Sequence, residues 1–152
     1  MNDLYGLASP VLKIKRLDKS LPLPAYATPG SAGIDLYAAH DAHVLKTSEP
    51  IGTGIQIALP EGYAGVVRSR SGLYFKHNVV CFHGLIDWDY RGELKVKLEK
   101  FSLGLYTIKK GDRIAQLTLP AYIGQIKIVE VQKLDETERG CNGFGSTGGM
   151  NV

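Results

Sequence analysis

The chemistry-bearing residues of this 152-residue chain fall in five short segments, and the run Gly84-Leu85-Ile86-Asp87-Trp88-Asp89-Tyr90-Arg91-Gly92 carries the most information. A carboxylate, Asp87, directly follows an apolar Leu-Ile pair that reads as buried. A carboxylate leaving an apolar strand can be held rigidly in a poorly hydrated site, the setting of a general base. Tyr90, at the turn that follows, offers a flat wall against which a sugar or base can pack. Arg68-Ser69-Arg70-Ser71-Gly72 combines guanidinium forks, hydroxyls and a glycine turn, a set suited to phosphate oxygens. Asp35 stands inside the apolar run Ile34 to Ala39, so it needs a partner such as Arg70, or else faces a metal-bearing site. Gly111-Asp112-Arg113-Ile114-Ala115-Gln116 reads as a hairpin turn whose strand presents Gln116 inward.

The fifth segment, Arg139 to Gly149, is glycine-rich and holds Arg139, Phe144, Gly145, Ser146 and Thr147. Its Gly143-x-Gly145-x-x-Gly148 spacing imitates a dinucleotide fingerprint, but no βαβ unit surrounds it and no helix has room to follow. A Walker loop is excluded because no lysine precedes the Ser-Thr pair. What remains is a loose segment whose amides, hydroxyls and single arginine can wrap a phosphate chain, while Phe144 either staples the tail or stacks on a ligand.

The elements that must position these groups read as nearly all β. Glu93 to Glu99 alternates strictly, as a half-buried strand does, and Val11–Lys15, Ile55–Leu59 and Ile126–Ile128 carry shorter versions of the pattern. Turn signals separate them at Pro60-Glu61-Gly62, Arg91-Gly92, Lys110-Gly111-Asp112 and Tyr122-Ile123-Gly124. With 18 Gly and 7 Pro, the expectation is an all-β, jelly-roll-like barrel or sandwich of short strands, with one helix of about two turns from Gly72 to His77. The length fits one domain, here residues 1–139, followed by a flexible arm over 140–152. A net charge of +3, with Lys and Arg dispersed, gives no case for a nucleic-acid partner. No apolar stretch reaches membrane-spanning length, and the start of the chain lacks a basic region followed by an apolar one. Cys81 and Cys141 have neither metal-ligand spacing nor the density of a secreted scaffold, so the expected address is cytoplasmic.

In this order and at these spacings, the five segments resemble the homotrimeric deoxyuridine triphosphatases (dUTPases) from about Leu12 to Gly148. Ala32–Ala39, Arg70–Leu73, Gly84–Gly92, Gly111–Gln116 and Arg139–Gly148 look like that family's five motifs. The resemblance implies a three-fold trimer with active sites at subunit interfaces, hydrolysing dUTP to dUMP and pyrophosphate with Mg²⁺ held on the triphosphate. Asp87 would then activate the attacking water, and Tyr90 would pack under the deoxyribose and exclude a 2′-hydroxyl. The same resemblance would place Gly84 and Ile86 in the segment that reads uracil. Arg70, Ser71, Gly72 and Gln116 would hold phosphates, with Asp35 behind them as a partner to those groups or to a metal-bound water. Phe144 and Gly145 would close on the base, and Arg139, Ser146 and Thr147 on the terminal phosphate. The chain departs from the family pattern at Cys81-Phe82-His83, at Trp88 and at Lys100. Two other readings use the same fold: a dCTP deaminase, which needs a Glu base absent from the third motif, and a nucleotide-sensing protein that contacts a regulatory partner.

Overall fold

The computed structural model describes residues 10–120 and 129–131. Its elements, in chain order, are β1 (Lys13–Arg16), β2 (Ile34–Tyr37), β3 (Ala42–Val44), β4 (Ile51–Ala58), β5 (Gly65–Arg68), α1 (Ser71–His77), β6 (Val79–Cys81), β7 (Gly84–Ile86), β8 (Glu93–Val96), β9 (Leu98–Lys100), β10 (Tyr106–Ile108) and β11 (Arg113–Thr118). The all-β expectation holds. Among the described residues the strands form separate sheets ordered β1-β4-β8, β10-β3, β2-β11-β5-β7 and β6-β9, and none closes into a barrel. The arm and the stretch around Ile126–Ile128 lie outside the described residues.

No two strands adjacent in sequence pair with each other among the described elements. Every turn therefore carries the chain from one sheet to another, and two expectations change. The Lys110-Gly111 turn is a crossover rather than a hairpin, because β10 pairs with β3 while β11 lies between β2 and β5. The alternating run 93–99 is also not one strand: Glu93–Val96 pairs with β4, and from Leu98 the chain pairs with β6. Lys97 is the junction, where its carbonyl accepts from the Phe82 N–H at 2.9 Å. The alternation survives the switch because Leu94, Val96 and Leu98 all enter one core together with Leu36, Ile51, Ile108, Ile114 and Leu117. Each such side chain contributes about 1.5–3 kcal/mol through its removal from water.

The short helix runs one residue earlier than its composition implies and ends at Asn78, a left-handed residue (φ 54°) whose N–H returns to the Tyr74 carbonyl at 2.8 Å. That is the αL stop expected of Gly or Asn. The 109–112 turn that delivers β11 is fixed by carboxylates. Asp41 accepts from Lys109 Nζ and the Lys110 N–H, Asp112 accepts from the Lys109 N–H, and Gly111 takes φ 88°. Lys110 Nζ also reaches Asp18 at 2.6 Å. The hydrogen bond from Lys110, helped by Ser20, lowers the Asp18 carboxyl from 3.8 to about 2. A depressed carboxylate contributes stability above its unfolded pKa and loses it as pH falls through the folded value. We expect Asp18 to titrate near pH 2 when followed by carboxyl NMR, and Lys110→Met to return it toward its ordinary value; a wild-type midpoint near 4 would contradict the ion pair.

Candidate active site

Asp35 organises one side of the molecule. It sits on β2 between the core residues Ile34 and Leu36 and is only 7% exposed. A carboxylate there needs opposite charge. Two guanidinium groups supply it: Arg70 Nε donates to Oδ1 at 3.0 Å and Arg113 Nη1 to Oδ2 at 3.1 Å. Arg70 Nη1 also donates to the Arg113 carbonyl at 3.1 Å, locking the arginines side by side. The sequence reading paired Asp35 with Arg70 and missed Arg113. The signal for Arg113 was its place three residues before Gln116 in the segment already singled out.

A bulge brings these groups to one face. Positions 113 and 116 of a regular strand point to opposite faces. In β11 the register against β2 shifts between Arg113, opposite Tyr37, and Ala115, opposite Leu36. The extra residue lets Ile114 and Ala115 both enter the core and turns Gln116 to the side that faces Asp35. Gln116 Nε2 donates to the Ser69 carbonyl at 2.9 Å. A Cβ at Gly33 would lie 2.5 Å from Gln116 Oε1, so glycine is what leaves room for this amide.

Asp35, Arg70, Ser71, Gly72, Gln116 and Gly33 line one open cleft of about 310 Å³, with Ala27, Ser31 and Ala32 at its rim. Arg70 is the N-cap residue of α1, and its guanidinium, which cannot accept a backbone N–H, donates to Asp35 and the Arg113 carbonyl instead. The cleft thus presents one guanidinium with amide and hydroxyl groups to an anion, while its buried carboxylate is already matched.

The third segment forms a second cleft, of about 230 Å³, lined by Ile86, Asp87 and Tyr90 with Leu85, Glu93, Leu94 and Lys95. Tyr90 is clamped: its hydroxyl donates to the Glu93 carbonyl at 3.1 Å, its N–H to the Asp87 carbonyl at 3.1 Å, and a Cβ at Gly92 would collide with its ring. Arg91 Nη1 pins the same turn through the Trp88 and Tyr90 carbonyls. The Leu-Ile pair is not buried, however. Leu85 is 70% exposed, and Asp87 is exposed with it. The dry environment expected for Asp87 is not provided by this chain alone, because β7 is the outermost strand of its sheet. Gly72 and Gly84 would tolerate a Cβ, since the first meets nothing within 4 Å and the second nothing closer than 3.9 Å. Nothing within the described chain requires glycine at either position.

The two clefts share no lining residue. Arg139, Phe144, Gly145, Ser146 and Thr147 lie outside the described residues. Of the departures from the family pattern, Lys100 has a structural account: its Nζ donates to the Ser102 carbonyl and hydroxyl and to the Leu103 carbonyl at 2.6–2.8 Å, closing the loop after β9.

The chain carrying these two clefts, on short strands joined only by crossovers, matches a known family along most of its length. The sequence model of dUTPase covers residues 19–148. The chain belongs to the dUTPase family. The deoxyuridine 5′-triphosphate nucleotidohydrolase of Zymomonas mobilis is 48% identical over 143 residues, covering 90% of this chain and 97% of that protein. Among solved structures, the dUTPase of Staphylococcus bacteriophage 80alpha with dUPNHPP superposes with a TM-score of 0.79 at 29% identity, covering 91% of this chain and 98% of the phage chain. A phage phi11 dUTPase mutant shares the fold (TM-score 0.74, 23% identity, 83% of this chain and 99% of that one), and that protein coordinates a structural Mg(II) ion. In this chain the Asp35 cluster joins the segments 32–39, 70–73 and 111–116 through side chains.

Replacing Asp35 by Asn would leave two guanidinium groups facing each other with one neutral acceptor. Because Arg113 is about half exposed, the expected loss is about 1–3 kcal/mol rather than the full cost of a buried pair. Urea denaturation should register it as a lower midpoint with an unchanged slope; an unshifted midpoint would show that the cluster does not contribute to stability.

Proposed function

We propose that the chain hydrolyses dUTP to dUMP and pyrophosphate, in a homotrimer whose active sites lie between subunits. The observation that carries this reading is the separation of the two clefts. One holds the groups that suit a triphosphate and the other holds Asp87 and Tyr90, and each is open to solvent in the single chain. Juxtaposing the phosphate cleft of one copy with the Asp87 turn of another would complete the site and cover Leu85 and Trp88. It would also supply the dehydration that a base needs.

In this reading Arg70, Ser71 and Gln116 hold phosphate oxygens, with Arg70 kept in place by Asp35. Gly72 and Gly84 let the ligand approach the backbone closely, and Ile86 packs beside the base. Asp87 accepts a proton from a water as its oxygen bonds to the α-phosphorus, and the bond to the β-phosphate oxygen breaks to release pyrophosphate. Tyr90, anchored at both ends of its ring, lies under the deoxyribose and leaves no space for a 2′-hydroxyl. Arg139, Phe144, Gly145, Ser146 and Thr147 close over the substrate from the far side, the aromatic ring on uracil and the polar groups on the terminal phosphate.

Magnesium fits this donor set as an ion carried by the substrate. Among the described residues no group of three or more His, Cys, Asp or Glu side chains is placed to hold a metal, and Asp35, the carboxylate of the phosphate cleft, is engaged by two arginines. Mg²⁺ commonly keeps several waters and takes its remaining ligands from substrate phosphates. When bound it neutralises phosphate charge in the transition state.

Pyrophosphate release measured across dUTP, dCTP, dTTP and UTP tests the assignment; dUTP should be turned over and the others scarcely. Ammonia release from dCTP would instead favour the deaminase reading. Asp87→Asn should lose turnover by roughly 10²-fold or more while retaining affinity for a non-hydrolysable dUTP analogue. Replacing Tyr90 by a smaller residue should raise UTP turnover relative to dUTP, and an unchanged ratio would mean that something else reads the sugar. A chain ending at Asp135 should fold and assemble normally yet lose most of its turnover; full activity would remove the tail from the site.

A further inference from the structure

The shape of the phosphate cleft depends on a serine outside its ligand set. Ser69 follows β5, where the chain leaves the sheet for α1 and Arg70 becomes the N-cap residue. Its hydroxyl bonds the end of β6 in both senses. The Cys81 N–H donates to Ser69 Oγ at 3.0 Å, and the Ser69 hydroxyl donates to the Cys81 carbonyl at 3.3 Å, with Cys81 Sγ at 3.6 Å. Strands β5 and β6 belong to different sheets, so this contact is a pin across a sheet boundary and not a rung of either ladder. The peptide pinned in this way turns its carbonyl to Gln116, which donates to it through Nε2 at 2.9 Å.

A backbone carbonyl only accepts, so the amide end that faces Ser69 must be the NH₂ group. One Nε2 hydrogen is used there, and the second remains for an acceptor in the cleft that Gln116 lines. An amide rotated by half a turn would offer an oxygen to the anion instead. The Oε1 end lies toward Gly33, where an added Cβ would stand 2.5 Å from it.

We infer that Ser69 is a positioning residue for the triphosphate. Pinned to Cys81, its carbonyl holds Gln116 with an N–H toward the phosphate oxygens and sets the point at which Arg70 leaves the strand. This rests on the reading of the cleft as a phosphate site and names a group that shapes it. Because the pin uses backbone atoms of Cys81, the thiol itself is dispensable; burial pushes that thiol's pKa up and keeps it neutral.

Ser69→Ala, Ser69→Thr and Cys81→Ala separate these roles. In Ser69→Ala the KM for dUTP should rise about tenfold, the equivalent of about one hydrogen bond to a charged group. Inhibition by deoxyuridine, which has no phosphate, should stay within about twofold of wild type, since only the phosphate contacts are displaced. The side-chain amide resonances of Gln116 in the ligand-free protein should move and exchange faster. Ser69→Thr keeps the hydroxyl and should restore both readouts, and Cys81→Ala should leave both unchanged. Gln116 resonances that do not move in Ser69→Ala overturn the inference, as does an unchanged KM. Equal losses for dUTP and deoxyuridine overturn it too, because they would mark a general loss of structure. If the alanine variant is too unstable to purify, Ser69→Cys, a weaker donor and acceptor of similar size, carries the same expectations at smaller amplitude. The amide resonances need no turnover, so wild-type protein that released no pyrophosphate from dUTP would remove the phosphate reading while the pin was still reported.

Discussion

The buried carboxylate of Asp35 is the constraint around which the phosphate side of this molecule is arranged. A charge held between Ile34 and Leu36 must be met by opposite charge, and the two arginines that meet it come from separate parts of the chain. Arg70 arrives from the connection after β5 and Arg113 from the start of β11. Arg70, drawn to that carboxylate, is held at the wall of the open cleft, while Arg113 braces Asp35 through its other oxygen. An anion in the cleft meets a cation whose placement was settled during folding, so little ordering is left for the binding step. The bulge in β11 belongs to the same arrangement, because without it Arg113 and Gln116 would face opposite sides of the sheet.

The Asp87 side is built on a different principle. The turn is rigid, with Tyr90 fixed by its hydroxyl and by the absence of a side chain at Gly92, yet the carboxylate it carries stands in water. Rigidity within one chain and exposure at its surface together describe half of a site. The apolar residues exposed around it, Leu85 and Trp88, are of the kind that a second copy would cover.

The pairing of Asp35 with Arg70 was legible because a charge inside an apolar run has few solutions, and Arg70 stood in the segment richest in donors. The helix was legible to within a residue because Asn78 supplies its stop. The alternation of Glu93 to Val96 and on through Leu98 announced which side chains face the core. It said nothing of the switch at Lys97 from one sheet to another, since both halves bury the same face. Arg113 and Ser69 were not recognised as partners of the site. Their roles depend on a register shift and on a contact between sheets, and neither leaves a mark on local spacing.

Residue types and their periodicity alone determined that this chain is all β, which side chains of its alternating runs leave water, and which segments concentrate guanidinium, hydroxyl and carboxylate groups. These are local properties, set by side-chain polarity and the two-residue repeat of a strand. Tertiary structure decided the pairing. No described strand pairs with its neighbour in sequence, so turn signals could mark where strands end but not what they join. Tertiary structure also decided that Arg70 and Gln116 line one cleft and Asp87 another, and that Leu85 stands in solvent at a sheet edge while Ile86 packs against the core. The physical reason is the same in each case. Burial is a sum over the whole fold, and a residue's sequence neighbours do not reveal which distant strand will cover it.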